Sequence, residues 1–438
     1  MNFTQAQSYL YATVNETASR REPHRLDRMR AFLHALDDPQ NTYPTVQIGG
    51  TSGKGSTSTM AAAALTACGK RTGLHTKPHI RSITERARID AVPIPEERFA
   101  ELLSDMMPAI GTVERDHSRP SYYETLLALT LLYFAREGVD IAVIEVGIGG
   151  KLDGTNVLRP NVCAITNVGL DHVDVLGDTI EEIAADKAGI AKAGVPLVSA
   201  VEQPVAREII EQACAAAGAP FVPVFDRTEV AARTGSVYGQ SFTLTTPRET
   251  YSIELPLLGA FQQRNAATAV TVLEELGPLY PGKEAIERGL AGLTLSGRME
   301  YFPSHPGIVF DIAHNPDKAH HLADALREIF PGRHITFVIA IGESKDTSEI
   351  LLAFAGLGAT FIFTSFEAHG RSAVKPQRLA SVAESLGLWG RPTPDPVEAL
   401  AIARRNASAD GIVVVTGSTY VVAELRAWWM EHVAAARP

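Results

Sequence analysis

The feature that most constrains this chain is Gly49-Gly50-Thr51-Ser52-Gly53-Lys54-Gly55-Ser56-Thr57. It follows a short apolar run, Thr45 to Ile48. It opens an Ala-rich helical stretch from about Lys54 to Ala67, closed by Gly69. Glycines let the backbone curl so that N–H groups point inward at phosphate oxygens. The helix N-terminus adds positive potential. Lys54 supplies a point charge for β- and γ-phosphates, and a Ser56 or Thr57 hydroxyl can ligate Mg²⁺. The spacing departs from the common Walker pattern, because one Gly separates the Lys from the hydroxyl residue and Ile48 occupies the usual first-Gly place. The bland alternative is an ordinary Gly-rich strand-to-helix turn, but the strand–loop–helix context is right for phosphate.

The rest of the chain repeats the strand–helix rhythm. Ile141 to Val146 and Val162 to Thr166 are apolar runs bounded by Gly, Pro and Asn, suited to buried parallel strands. Helical patterns cover Tyr123 to Arg136 and Ile180 to Lys192, and the first forty residues also read as helix. Residues 220 to 256 break the rhythm with three short strand-like runs, predicting a small antiparallel patch before a helix from Gln262 to Glu275. Beyond Gly297 a second alternation begins. Its strands are Ile308–Ala313, Ile335–Ile341, Thr360–Ser365 and Ile412–Thr416. Helices are expected near 317–329, 375–386 and 396–409. The fold class is therefore α/β, with parallel sheets covered on both faces. Two domains are expected, 1–296 and 297–438, hinged near residue 296. A cleft between them is the expected active site.

Composition bounds the partners. The 438 residues carry 40 Lys and Arg against 50 Asp and Glu, a net charge of −10. That excludes a global basic field for nucleic acid. The longest apolar stretch, Leu126 to Ala135, is about half a bilayer span. Cys68, Cys163 and Cys214 are far apart and odd in number, so no disulfide framework is read. With charges from Glu16 to Arg30 and no apolar h-region, the expectation is a cytoplasmic protein without membrane or nucleic-acid partners, and a monomer.

Other residues stand at strand ends. Glu145 closes an apolar run ahead of Val146-Gly147-Ile148-Gly149-Gly150 and is placed for Mg²⁺, which prefers oxygen donors. The glycines suggest close backbone approach to a ligand. Asp171-His172 follows another run. Lys187 reads either as a surface lysine or as a functional one. Asp311-Ile312-Ala313-His314-Asn315-Pro316 follows a strand in the second half, and Arg298 sits at the expected hinge, where it can reach a phosphate.

Together and in this order, these pieces resemble the folylpolyglutamate synthase/dihydrofolate synthase family of the Mur ligase superfamily. The likeness runs through His24–Met29, Gly50–Thr57, Thr76–Ile80, Thr84-Glu85-Arg86, Tyr123-Glu124 and Glu145–Asn156. It continues through Leu170-Asp171-His172, Leu176–Ile190, Asn265-Ala266-Ala267, Gly297-Arg298, Asp311–Pro316, Lys345-Asp346 and Gly417-Ser418.

The resemblance implies a P-loop central domain and a smaller Rossmann-like C-terminal domain. The activity it implies is an ADP-forming ligase joining glutamate to a pterin or folate carboxylate through an acyl phosphate. Its small-molecule partners are ATP, glutamate and the acid, with one or two Mg²⁺ ions. Thr51, Ser52, Gly53, Lys54, Gly55 and Ser56 match the triphosphate loop, and Asn265, Arg298 and Asp311 match nucleotide contacts. Ser56 and Glu145 match ligands of one Mg²⁺, and His172 a ligand of a second. Lys187 matches a lysine that the family carbamylates. His314 matches a residue near the incoming amino acid, and Ser418 joins it on the substrate side. Lys77, His79, Tyr122, Tyr123, Glu124, Lys151 and Asp153 fall on the acceptor side.

The sequence departs from the family at Ser52 (usually Asn), Lys77 (usually Ser, a metal ligand), Phe261 (often His), Ile312 (often Gly), Lys151 (often Arg) and Tyr123 (often Phe). These changes touch the acceptor side more than the ATP site. A ligase acting on a non-folate carboxylate is the alternative. A kinase-like ATPase and a non-catalytic nucleotide binder explain fewer of the matched residues.

Overall fold

The computed structural model describes residues 1–14, 26–368 and 370–434. His24 and Arg25 of the first motif lie outside them. The chain divides into two compact units. The first holds 1–233, 242–254 and 263–293, and the second holds 234–241, 255–262 and 294–438.

Among the described residues, the first unit is built on an eight-stranded sheet. Its strands are β1 (Thr45–Gly49), β2 (Thr72–His75), β3 (Ala87–Ile89), β4 (Val92–Pro93), β5 (Ile141–Glu145), β6 (Val162–Ile165), β7 (Leu197–Ser199) and β8 (Phe221–Pro223). The order is β4-β3-β2-β5-β1-β6-β7-β8. From β2 to β8 all neighbours run parallel, and only β3 and β4 are antiparallel. β1 is buried along its whole length, as is β5. A strand covered on both faces has no polar side to show, so it reads as a continuous apolar run. Strands β9 (Glu229–Ser236), β10 (Gly239–Thr245) and β11 (Thr250–Leu255) form a three-stranded sheet in the order β11-β10-β9.

The second sheet carries β12 (Glu300–Phe302), β13 (Gly307–Phe310), β14 (Ile335–Ile339), β15 (Thr360–Phe363), β16 (Gly390–Pro392) and β17 (Ile412–Thr416). Its order is β12-β13-β17-β14-β15-β16, antiparallel only at β12. Its core includes Phe337, Phe354, Phe361 and Phe363, with Phe337 and Phe361 stacked at 5.2 Å.

Among the described residues no helix is long and apolar enough to cross a membrane. The N-terminus differs from the expected run of helix. Helices cover Phe3–Tyr11 and Leu26–His34, and the second stops where Asp37 and Asp38 take φ of 63° and 51° before Pro39. Left-handed backbone cannot continue a right-handed helix.

Candidate functional site

The phosphate-type loop leaves β1 and enters the helix Lys54–Ala67, whose cap residue Gly53 has φ 81° and offers no side-chain hydrogen bond. The first-turn amides are therefore not occupied by a capping side chain. Two glycines are obligatory here. A Cβ on Gly50, at φ 133°, would lie 2.0 Å from Thr166 Oγ1, and one on Gly53 would lie 2.4 Å from Asn265 Oδ1. Asn265 thus packs against the loop it was expected to serve.

Asn167, two residues past the end of β6, was not singled out from sequence. Its Oδ1 accepts from the amides of Ser52 at 2.7 Å and Thr51 at 3.0 Å, fixing the loop. A polar residue at the C-terminal end of a parallel strand was the available signal. Thr51 Oγ1 donates to the Gly169 carbonyl at 3.1 Å. Lys54 Nζ folds back onto the carbonyls of Gly50, at 2.8 Å, and Thr51, at 3.1 Å. Thr57 Oγ1 is buried with no hydrogen-bond partner, and Ser56 is buried beside it.

Around this loop the charges crowd. Lys187, on the helix Ile180–Ala188, is only 3% exposed. Burial, and then the Lys54 ammonium, pull its amine down to about 7 against the opposing pull of Asp186 and Asp171. Lys77 is pulled down to about 8 by burial and then Lys54, with Glu145 and Asp153 opposing. Glu145, buried at the end of β5, accepts the Lys77 amide on Oε2 at 3.0 Å. His172 has φ 53°, and its amide donates to Asp171 Oδ1 at 3.0 Å. Among the described residues no three His, Cys, Asp or Glu side chains converge on a metal-sized point.

The glycines after Glu145 are needed for close packing of the chain on itself. A Cβ on Gly149 would lie 2.2 Å from Asp186 Oδ1, and one on Gly150 2.7 Å from the Lys187 carbonyl. They let the Lys187 helix close onto the loop. Exposed Lys151 donates its amide to the Asp186 carbonyl at 2.8 Å, tying the same two segments.

The residues expected on the acceptor side form a second network. The buried Asp153 carboxylate takes the Ile148 amide at 2.9 Å and the Thr155 amide at 2.9 Å, and receives the Tyr123 hydroxyl at 3.2 Å. Burial, then the Asp153 charge, push the Tyr123 phenol well above its ordinary value. His79 Nδ1 accepts from Arg86 Nε at 3.0 Å, and burial, then Arg86, hold the ring neutral with a value of about 4. Arg86 also lies 5.6 Å over the Tyr122 ring, so it links two expected residues without having been assigned a role itself. Glu124 is held by Arg28 at 2.7 Å and by the Ser121 amide and hydroxyl at 2.8 and 2.6 Å. Its geometry is that of an ion-paired capping box.

In the second unit, Gly297 (φ 63°) and Met299 (φ 48°) turn the chain ahead of β12. The buried Asp311 carboxylate accepts the amides of Met299 and Ala313, both at 2.8 Å. Burial raises its value, and these bonds and the nearby Arg298 oppose that rise. His314 Nδ1 lies 2.7 Å from the Ile312 carbonyl, and its Nε2 lies 3.2 Å from Lys318 Nζ. Lys318 was not among the expected residues. Ser418 caps the helix Thr419–Trp429 through the Tyr420 amide at 3.2 Å.

Comparison with known proteins places this geometry. Residues 96–273 match the Mur ligase middle domain and 297–419 the Mur ligase glutamate ligase domain. The folylpolyglutamate synthase of Lacticaseibacillus casei is 33% identical over 435 residues, 97% of this chain and 98% of its own length. A probable bifunctional folylpolyglutamate synthase/dihydropteroate synthase of Haloferax volcanii is 36% identical over 93% of this chain, which spans only 48% of that longer protein. A Mycobacterium tuberculosis folylpolyglutamate synthase structure complexed with ADP superposes with a TM-score of 0.89 at 30% identity, covering 98% of each chain. The chain belongs to the dihydrofolate synthase/folylpolyglutamate synthase family of Mur ligases.

Proposed function

We propose that the chain is an ATP-dependent carboxylate–amine ligase that adds L-glutamate to a pterin or folate acid. The acid oxygen takes the γ-phosphoryl group and ADP leaves. The glutamate amine then forms the C–N bond as phosphate departs with the acid oxygen. The observation that carries this reading is the crowding of Lys54, Lys77 and Lys187, buried closely enough to depress two of the three amines. Amines crowded at a helix N-terminus whose cap residue is glycine disfavour one another's charge and favour a polyanion such as a triphosphate. The relatives' names and the ADP complex of one of them support the nucleotide and the glutamate.

Glu145 and Ser56 offer hard oxygen donors that suit Mg²⁺, which keeps several waters and phosphate oxygens and needs no all-protein cage. Bound there, the ion would neutralise phosphoryl charge; His172 is the candidate for a second ion. Lys187, pulled down to about 7, carries a substantial neutral fraction near physiological pH. A neutral amine adds CO₂ to give a carbamate and a proton, so its burial supports carbamylation. Asp311 and Arg298 are the second unit's candidates for nucleotide, and His314 and Ser418 for the amino acid. Tyr123, His79 and Asp153 are the candidates for the acid.

The test is isotope tracing with ¹⁸O in the acid carboxylate. Label in the released phosphate supports the acyl phosphate, and its absence overturns it. Phosphate release over a panel of acids, with dihydropteroate and reduced folates against unrelated aryl acids, decides the acceptor.

A further inference from the structure

We propose that Lys318 selects the incoming amino acid by its α-carboxylate, while its resting partner His314 Nε2 receives that amino acid's amine. The proposal rests on the ligase reading above. It begins with the tautomer. His314 Nδ1 faces the Ile312 carbonyl at 2.7 Å, and a carbonyl oxygen can only accept, so Nδ1 carries the proton. The lone pair of the neutral ring is then on Nε2. Lys318 Nζ lies 3.2 Å from it, and an ammonium can only donate.

The resting site therefore holds a primary ammonium against Nε2, the same group an amino acid brings. The Lys318 backbone is pinned, since its amide donates to Asn315 Oδ1 at 2.9 Å in the first turn of the helix Pro316–Ile329. Only the flexible four-carbon stem has to move when an entering ammonium takes its place. The α-carboxylate of that amino acid is attached to the same carbon as the amine. A displaced Lys318 ammonium thus meets a carboxylate within one hydrogen-bond length of its resting position.

The experiment compares L-glutamate with L-isoglutamine, whose α-carboxylate is an amide, and with L-glutamine, whose side chain is the amide. Wild type, Lys318→Met and Lys318→Arg are assayed for kcat and KM by phosphate release. Each preparation is normalised to the acyl hydroxamate it forms with ATP, acid and hydroxylamine. Wild type is expected to prefer glutamate over isoglutamine by about 10- to 100-fold, the range for a hydrogen bond to a charged group. Lys318→Met is expected to lose that preference, mainly through the KM for glutamate, while keeping its preference over glutamine. Lys318→Arg restores most of it. Retained discrimination against isoglutamine in Lys318→Met, or loss of discrimination against glutamine instead, overturns the proposal. Ring ¹⁵N spectra add a readout that a structural role would not move. The His314 proton is expected on Nδ1, and a proton on Nε2 in the resting enzyme is fatal. If no hydroxamate forms, the ligase reading fails. The glutamate-versus-isoglutamine titration of the His314 ring signals still decides Lys318.

Discussion

The two units each contain a parallel strand that turns into a helix, and the two turns are finished in opposite ways. In the first, Gly53 gives the helix Lys54–Ala67 no side-chain cap, and the loop is held from outside by Asn167. In the second, Asn315 fills the end of Pro316–Ile329 by accepting the Lys318 amide, and Pro316 removes another N–H. A helix end without a cap is a place for an anion, and a capped one is a platform for side chains. The proposed reading therefore gives phosphate to the first turn. The second presents Asp311 and His314, whose positions are fixed by backbone amides and a carbonyl.

The largest break in that contrast is at the first turn. Lys54→Ala removes the charge that now rests on the carbonyls of Gly50 and Thr51. Turnover is expected to fall by about a hundred- to thousandfold or more, the range for losing one preorganised charge-stabilising group. Gly53→Ala should fail at the binding step, because its Cβ meets Asn265 Oδ1 at 2.4 Å in a left-handed backbone. Calorimetric titration with ATP checks both, and near-wild-type binding in Gly53→Ala would remove the argument for the loop. Asp311→Ala, in the second unit, should raise the ATP requirement more than it alters acid use.

Next in size is Lys187. Its value is lowered from 10.5 to about 7 in the folded chain. Between those values the unfolded chain holds a proton that the folded chain does not, so this group's contribution to stability rises with pH from about 7 to 10.5. Below 7 both states are charged, and the folded state bears the full burial penalty. Lys187→Met is therefore expected to be more stable than wild type at pH 7, by an amount on the order of a few kcal/mol, with the gap narrowing by pH 9. Urea unfolding at the two pH values reads this directly. Lys187→Ala should be slow, with partial rescue by small carboxylates; full activity without them would remove the carbamate from the proposal.

What could be read in advance follows the same physics. Strands β1, β5, β6 and β17 were legible because burial on both faces leaves uninterrupted apolar runs. The long helix Glu96–His117 was not, since Pro108 and Gly111 inside it read as breaks. β2 was missed because Gly73, packed against the Phe134 ring, and buried His75 disguise a core strand. The Gly-rich turn between β1 and the helix Lys54–Ala67 was legible because its glycines stand in the chain order itself. Asn167 and Lys318 were not. Their roles arise from bonds to Ser52 and His314 that only the folded turn creates. The packing role of Gly149 and Gly150 was hidden for a related reason, as nothing local announces the Lys187 helix they accommodate.

The smallest effect sharpens the opening contrast most. Asn315→Ala empties the cap of Pro316–Ile329 and should cost about 1 kcal/mol, with Asn315→Ser recovering most of it. The exposed amides would then resemble those at Gly53. If an open helix end alone made a phosphate site, Asn315→Ala would gain affinity for inorganic phosphate. No gain is expected, because the second turn has no glycine curl to aim successive amides at one point, and the Asp311 carboxylate already acts on Lys318 in its first turn. Equilibrium dialysis of phosphate against the variant decides the matter. Binding there would mean that the cap, and not the loop and Lys54, is what separates the two turns.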